Sequence, residues 1–125
     1  GATKCKECHS EQYHQWEKTR HARAFETLIK KAKQDDVQCV QCHTTGFAQY
    51  NGFYNYLETP EMADVQCEAC HGIGKLHVQS VERIKSQKLK AAILAPISEE
   101  TCIGCHDKSQ DPKFDYQKDV KKVKH

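Results

Sequence analysis

Apolar residues are sparse along the chain, and their spacing is helical more often than alternating. Residues 10–33 contain no Gly or Pro and are rich in Glu, Gln, Lys, Arg and Ala, so they predict one helix with Ser10 as its N-cap. On that helix His14 and His21, seven apart, would share a face about 10.5 Å apart along the axis. Phe25 and Ile29 continue nearly the same stripe. Pro60 predicts the start of a helix running into Cys67. Val78–Ala95 predicts another, with Val81, Ile84 and Leu89 inward, stopped by Pro96. Ser98-Glu99-Glu100 opens a helix with its acids in the favourable first turn, and Tyr116–Lys124 predicts the last. Between residues 44 and 58 the pattern changes. Gly46 and Asn51-Gly52 stand among Phe47, Tyr50, Phe53 and Tyr54, with Tyr56 close behind, which predicts a short β-hairpin near residues 46–57. The expected class is mainly α, in one domain over residues 1–125.

The stripes are too thin for an ordinary core. The chain has 125 residues, 38% hydrophobic with the cysteines counted, 4 Phe, 1 Trp and 1 Met. Mean hydropathy is −0.83. Domains of this size bury a substantial aliphatic core, so something besides side chains has to fill the middle. The longest apolar run, Ala91–Ala95, is far too short for a membrane span. No signal-peptide core is visible, so the chain reads as cytosolic or already mature. A net charge of +2 gives no reason to expect nucleic acid.

All 8 cysteines fall in four copies of one motif. These are Cys5-Lys6-Glu7-Cys8-His9, Cys39-Val40-Gln41-Cys42-His43, Cys67-Glu68-Ala69-Cys70-His71 and Cys102-Ile103-Gly104-Cys105-His106. C-x-x-C-H is the attachment motif of c-type heme. Two thiols add across the two vinyl groups of one porphyrin, and the adjacent imidazole ligates iron from below. Zinc or disulfides would explain a lone C-x-x-C. They do not explain His at the next position four times, a coincidence of about one in sixty thousand at this chain's His frequency. Four covalent heme c groups are therefore expected, one for roughly every 31 residues, and they supply the missing apolar interior. With about −2 from the propionates of each heme and about +1 from each ferric centre, the loaded protein is expected to be net negative.

Four of the 8 histidines are left over: His14, His21, His77 and His125. Four irons need four sixth ligands, so the numbers match; Met62 is the one available Met. His14 lies five residues after His9, about 140° round a helix, poorly placed for that heme. Gly72-Ile73-Gly74 can swing His77 towards a neighbouring heme. A terminal His is normally frayed, so His125 could ligate iron only if the C-terminus is pinned.

Several features together resemble the tetraheme cytochrome c family of the five-five-four type, from ammonia oxidisers. They are C-x-x-C-H followed by Trp16 and His21-Ala22-Arg23-Ala24; Cys42-His43 followed by Gly46-Phe47; Cys67-Glu68-Ala69-Cys70-His71-Gly72; and a late Lys/Val-rich segment ending in His. The resemblance covers most of the chain. It implies a mostly helical fold with hemes in closely stacked pairs. It further implies that His77 serves the heme of His9, His21 that of His71 and His125 that of His106. The heme of His43 would have no sixth protein ligand. The chain departs from the family in being shorter and in carrying His14, which could cap the heme of His43 within the chain or project outward to a heme of a neighbouring subunit.

The expected function is electron transfer between redox partner proteins outside the cytoplasm, in the periplasm or extracellular, since bis-His iron offers no open position. Two rival readings remain. His14 could ligate a heme of a neighbouring copy, making the chain a homo-oligomer or a subunit of a conducting filament. A five-coordinate heme at His43 could instead act as an enzyme on a small nitrogen species such as nitric oxide.

Overall fold

The computed structural model describes residues 1–87 and 96–125. Its elements are helices: α1 (Ala2–Lys6), α2 (Ser10–Trp16), α3 (Ala24–Ile29) entered through a 3-10 turn (His21–Arg23), and α4 (Val37–His43). A 3-10 turn (Pro60–Met62) precedes α5 (Cys67–His71), α6 (Lys75–Gln87), α7 (Glu99–Ile103) and α8 (Tyr116–Asp119), which runs on as a 3-10 turn (Val120–Lys122). The class is mainly α, and among the described residues no strand forms; the sole ladder-like pairing is a bridge between Thr44 and Ala63.

The expected hairpin is therefore absent. Gly46, Ala48 and Asn51 all take positive φ, which coils the segment instead of extending it. Gly52 is required there, because a Cβ on it would lie 1.7 Å from the Gly46 carbonyl oxygen. The coil turns Phe53 into the interior, where its ring meets Phe25 at 5.4 Å, and stacks Tyr56 on the other side of Phe25 at 5.1 Å. Tyr50, Tyr54 and Leu57 stay exposed. Burying Phe53 on Phe25 wins over an isolated two-stranded ribbon, which is marginal in water.

The single helix expected over residues 10–33 is also broken. It stops at Trp16, whose indole N–H donates to the Val65 carbonyl at 2.8 Å, and Thr19 donates back to the Trp16 carbonyl at 2.7 Å. The chain then bends, so His14 and His21 do not share a helical face. α3 ends before Ala32, which sits at φ +52. Pro60 starts only one 3-10 turn, and the rest of the expected helix before Cys67 is irregular. The helix expected over Val78–Ala95 begins earlier, at Lys75, and its last part lies outside the described residues.

What binds the first five helices is a polar junction. Asp64 accepts the Phe25 N–H at 2.8 Å, capping the chain into α3. Thr45, 1% exposed, donates to the Asp64 carbonyl and accepts the Gln66 N–H. The Gln66 amide donates to the Glu61 and Ala63 carbonyls and accepts the Ala2 N–H. Buried polar groups persist only when satisfied in this way. Around the junction lies a small core of Phe25, Leu28, Val40, Phe53, Met62 and Ala63. Met62, the one candidate for thioether ligation, is spent on packing here.

Candidate functional site

Each C-x-x-C-H motif is carried on, or beside, a short helix. Cys5 lies in α1, with Cys8 just beyond it and His9 at the start of α2. α4 holds Cys39, Cys42 and His43; Asp36 caps its start by accepting the Gln38 N–H at 3.1 Å. α5 holds Cys67, Cys70 and His71 and ends at Gly72, whose φ of +76 suits glycine. α7 carries Cys102, with Cys105 and His106 in the turn that follows. One helical turn separates the two cysteines of each motif, so both face one side with the histidine beside them. No disulfide joins any of the eight cysteines among the described residues.

Thiols of different motifs also meet. Cys5 and Cys67 share a hydrogen bond that pushes the Cys5 thiol up and lowers Cys67 to about 7. Burial first, and then a hydrogen bond with Cys42, push Cys105 up to about 12. Cys70 and Cys102 are near enough that Cys102 adds to the rise that burial imposes on Cys70.

The imidazoles fall into pairs. Ring centroids of His9 and His77 are 6.1 Å apart, those of His21 and His106 6.0 Å, and those of His71 and His125 5.8 Å. Two imidazoles that share a metal at about 2 Å each from opposite sides have centroids about 6 Å apart. The spacing therefore fits an iron between each pair. Two pairings differ from those the resemblance implied: His21 faces His106, not His71, and His125 faces His71, not His106. The bend after Trp16 carries His21 away from α2. The Val65 N–H donates to the His21 carbonyl at 3.1 Å and fixes it there. The C-terminus is pinned because the Gln15 amide donates to the Lys124 carbonyl at 2.6 Å, which holds His125 over His71. Burial lowers the pKa of His21, with the neighbouring His106 adding to it. His71 is lowered by burial, then by His125 and His9. Both shifts favour the neutral imidazole, the form that would ligate a metal.

His43 differs. Its Nδ1–H donates to the Ala24 carbonyl at 2.8 Å, and Thr27 Oγ1 stands 3.2 Å away. Among the described residues no second imidazole lies against it. His14 is not brought to any of these rings. It is exposed on α2, and its Nδ1–H donates to the Glu17 carboxylate at 2.9 Å, which lowers the Glu17 pKa.

Among the described residues no three His, Cys, Asp or Glu side chains converge on one point as a zinc site would need. The apolar residues beside the motifs, Ile73, Leu76 and Ile103, are exposed on the bare polypeptide, as expected if porphyrin covers them.

A family described as cytochrome c554 and c-prime matches residues 4–72, more than half of the chain. The chain belongs to the cytochrome c554 family. Cytochrome c-554 of Nitrosomonas europaea is 38% identical over 76 residues, 49% of this chain and 32% of that protein. The match thus spans about a third of the relative's length. The structure of reduced cytochrome c554 from the same organism superimposes with a TM-score of 0.73 at 28% identity, covering 99% of this chain and 82% of that one. This chain is accordingly a multiheme c-type cytochrome with covalently bound heme, on the cytochrome c554 fold. Among the described residues no helix is long and apolar enough to cross a membrane.

The residues that sequence reasoning missed are those that position the motif helices and imidazoles: Asp64, Thr45 and Gln66 at the junction, Ala24 behind His43, Gln15 at the tail and Asp111 behind His106. The first signal available for them was weak. Gln66 and Asp36 directly precede motif helices, where caps sit.

Proposed function

We propose that this cytochrome carries four hemes in electron transfer, attached through Cys5/Cys8, Cys39/Cys42, Cys67/Cys70 and Cys102/Cys105. His9 and His77, His21 and His106, and His71 and His125 ligate three of the irons in pairs. His43 alone holds the fourth. The observation that carries this reading is the set of three imidazole pairs at 5.8–6.1 Å against one imidazole without a second ring. Bound heme supplies a reversible one-electron couple. The polypeptide's part is to hold neutral imidazoles on axis and keep neighbouring hemes close. The thiol neighbours Cys5/Cys67, Cys70/Cys102 and Cys42/Cys105 support a relay in the motif order first, third, fourth, second. Electrons would enter and leave through redox partner proteins in the periplasm.

The test is a count of spin states in the monomeric holoprotein by EPR and visible spectroscopy. Three low-spin hemes and one high-spin heme are expected. His77→Ala should convert one further heme to high spin. Four low-spin hemes in a monomer would overturn the assignment of His43.

A second reading is favoured by the exposure of His14, whose Nδ1 is held by Glu17 so that Nε2 faces outward. That imidazole could complete the heme of His43 in another copy, a head-to-tail contact that builds rings or filaments. Concentration-dependent loss of the high-spin signal, abolished by His14→Ala, would support it. Binding of nitric oxide to the monomer without association would favour small-molecule chemistry at His43 instead.

A further inference from the structure

The four motif histidines are not held alike. Behind His43 the acceptor is a neutral carbonyl, Ala24. Behind His106 it is a carboxylate: Nδ1–H donates to Asp111 Oδ2 at 3.0 Å. The loop after the fourth motif is built around that contact. Asp107 Oδ1 accepts the N–H groups of Ser109 and Gln110, and the Asp107 carbonyl accepts the Asp111 N–H at 2.8 Å. Phe114, whose own N–H donates to the Asp111 carbonyl, stacks on the imidazole at 4.8 Å and fixes its plane. His106 lines an open depression whose charged walls are Glu99, Asp107, Asp111 and Asp115 against Lys108. Among the described residues no other motif histidine donates its ring N–H to a carboxylate.

We infer that Asp111 is a positioning residue that lowers the potential of the heme of His106. The inference rests on the ligand reading above. A carboxylate that accepts the ring N–H draws the proton towards itself and makes the imidazole a stronger donor. A stronger donor favours the ferric state, which carries one more positive charge. Reduction adds one electron to the iron; no bond at His106 forms or breaks and no proton moves.

The experiment is spectroelectrochemical titration of the holoprotein and of Asp111→Asn. Four one-electron components are expected in both. In the variant one component should rise by about tenfold in its equilibrium constant, about 59 mV for a one-electron couple. Asp111→Ser should do the same, and Asp111→Glu, which can still reach the ring, should return it towards the wild-type value. Glu99→Gln removes a charge from the same depression without touching the ring and should move the component much less. No shifted component in either neutral variant, or an equal shift in Glu99→Gln, would overturn the inference. A His21→Ala holoprotein that loses no low-spin heme would instead overturn the ligand reading.

Discussion

The stretch from Ala24 to Gln66 and the remainder of the molecule solve the same problem differently. Among the described residues nearly every buried apolar side chain lies in the first: Ala24, Phe25, Leu28, Val40, Phe53, Met62 and Ala63, with Ala2 the exception. Among the described residues that region also contains the one motif histidine with no imidazole opposite it. Among its described residues the remainder has three imidazole pairs and buries no apolar side chain but Ala2. Side chains form a core where the polypeptide folds on itself; elsewhere heme has to be the core. The polypeptide around the paired histidines is a frame for cofactors, while the region behind His43 is a small domain core that also holds a ligand.

The largest test of this contrast is to remove the cofactor. The apo chain should lose most of its far-UV helicity and its cooperative melt, because binding free energy is folding free energy in such frames. Any hydrogen-exchange protection left should lie within residues 24–66. Protection of α6 or α8 in the apo chain would break the comparison.

Next in size is Phe25→Ala. Phe25 is 2% exposed between Phe53 and Tyr56, so its loss should cost about 3–5 kcal/mol. Denaturation of the holoprotein should show that loss, and the spectrum of the His43 heme should change while the bis-His signals stay. An equal disturbance of all hemes would mean that the two regions do not differ as described.

Acid should separate them as well. Burial lowers the pKa of His21 and His71 below the ordinary 6.5. Folded, they bind fewer protons than when unfolded, so stability is retained at high pH. It is lost as pH falls from about 6.5 through the lowered values. Iron ligation pulls the same way. A pH series of melting temperatures, read at the low-spin bands, should therefore fall on the acid side.

Asp64 has the opposite sign and the smallest effect. Burial raises its pKa above 3.8, so the fold prefers its protonated form and loses stability as pH rises through that raised value. Asn at this position keeps an acceptor for the Phe25 N–H and tolerates φ +71. Asp64→Asn should melt slightly higher at pH 7 and equally at pH 3. A lower melting temperature at pH 7 would show that the charge itself caps α3.

Much of this was legible in the residues. Four C-x-x-C-H motifs specify the cofactor because covalent attachment is local chemistry, confined to five consecutive positions. The shortage of apolar residues points to a nonpeptide core by subtraction. The helical class follows from composition and spacing. The order of partners did not follow. Which imidazole faces which depends on the bend after Trp16 and on Gln15 tying down Lys124, contacts between residues 49 and 109 positions apart. The hairpin expected from Asn51-Gly52 was lost for the same kind of reason: Phe53 found Phe25, and that burial outweighed a turn signal. What this protein binds was written in its local motifs. The tertiary structure alone decided which histidines meet and which acceptor stands behind each ring, because those depend on long-range packing that no local pattern records.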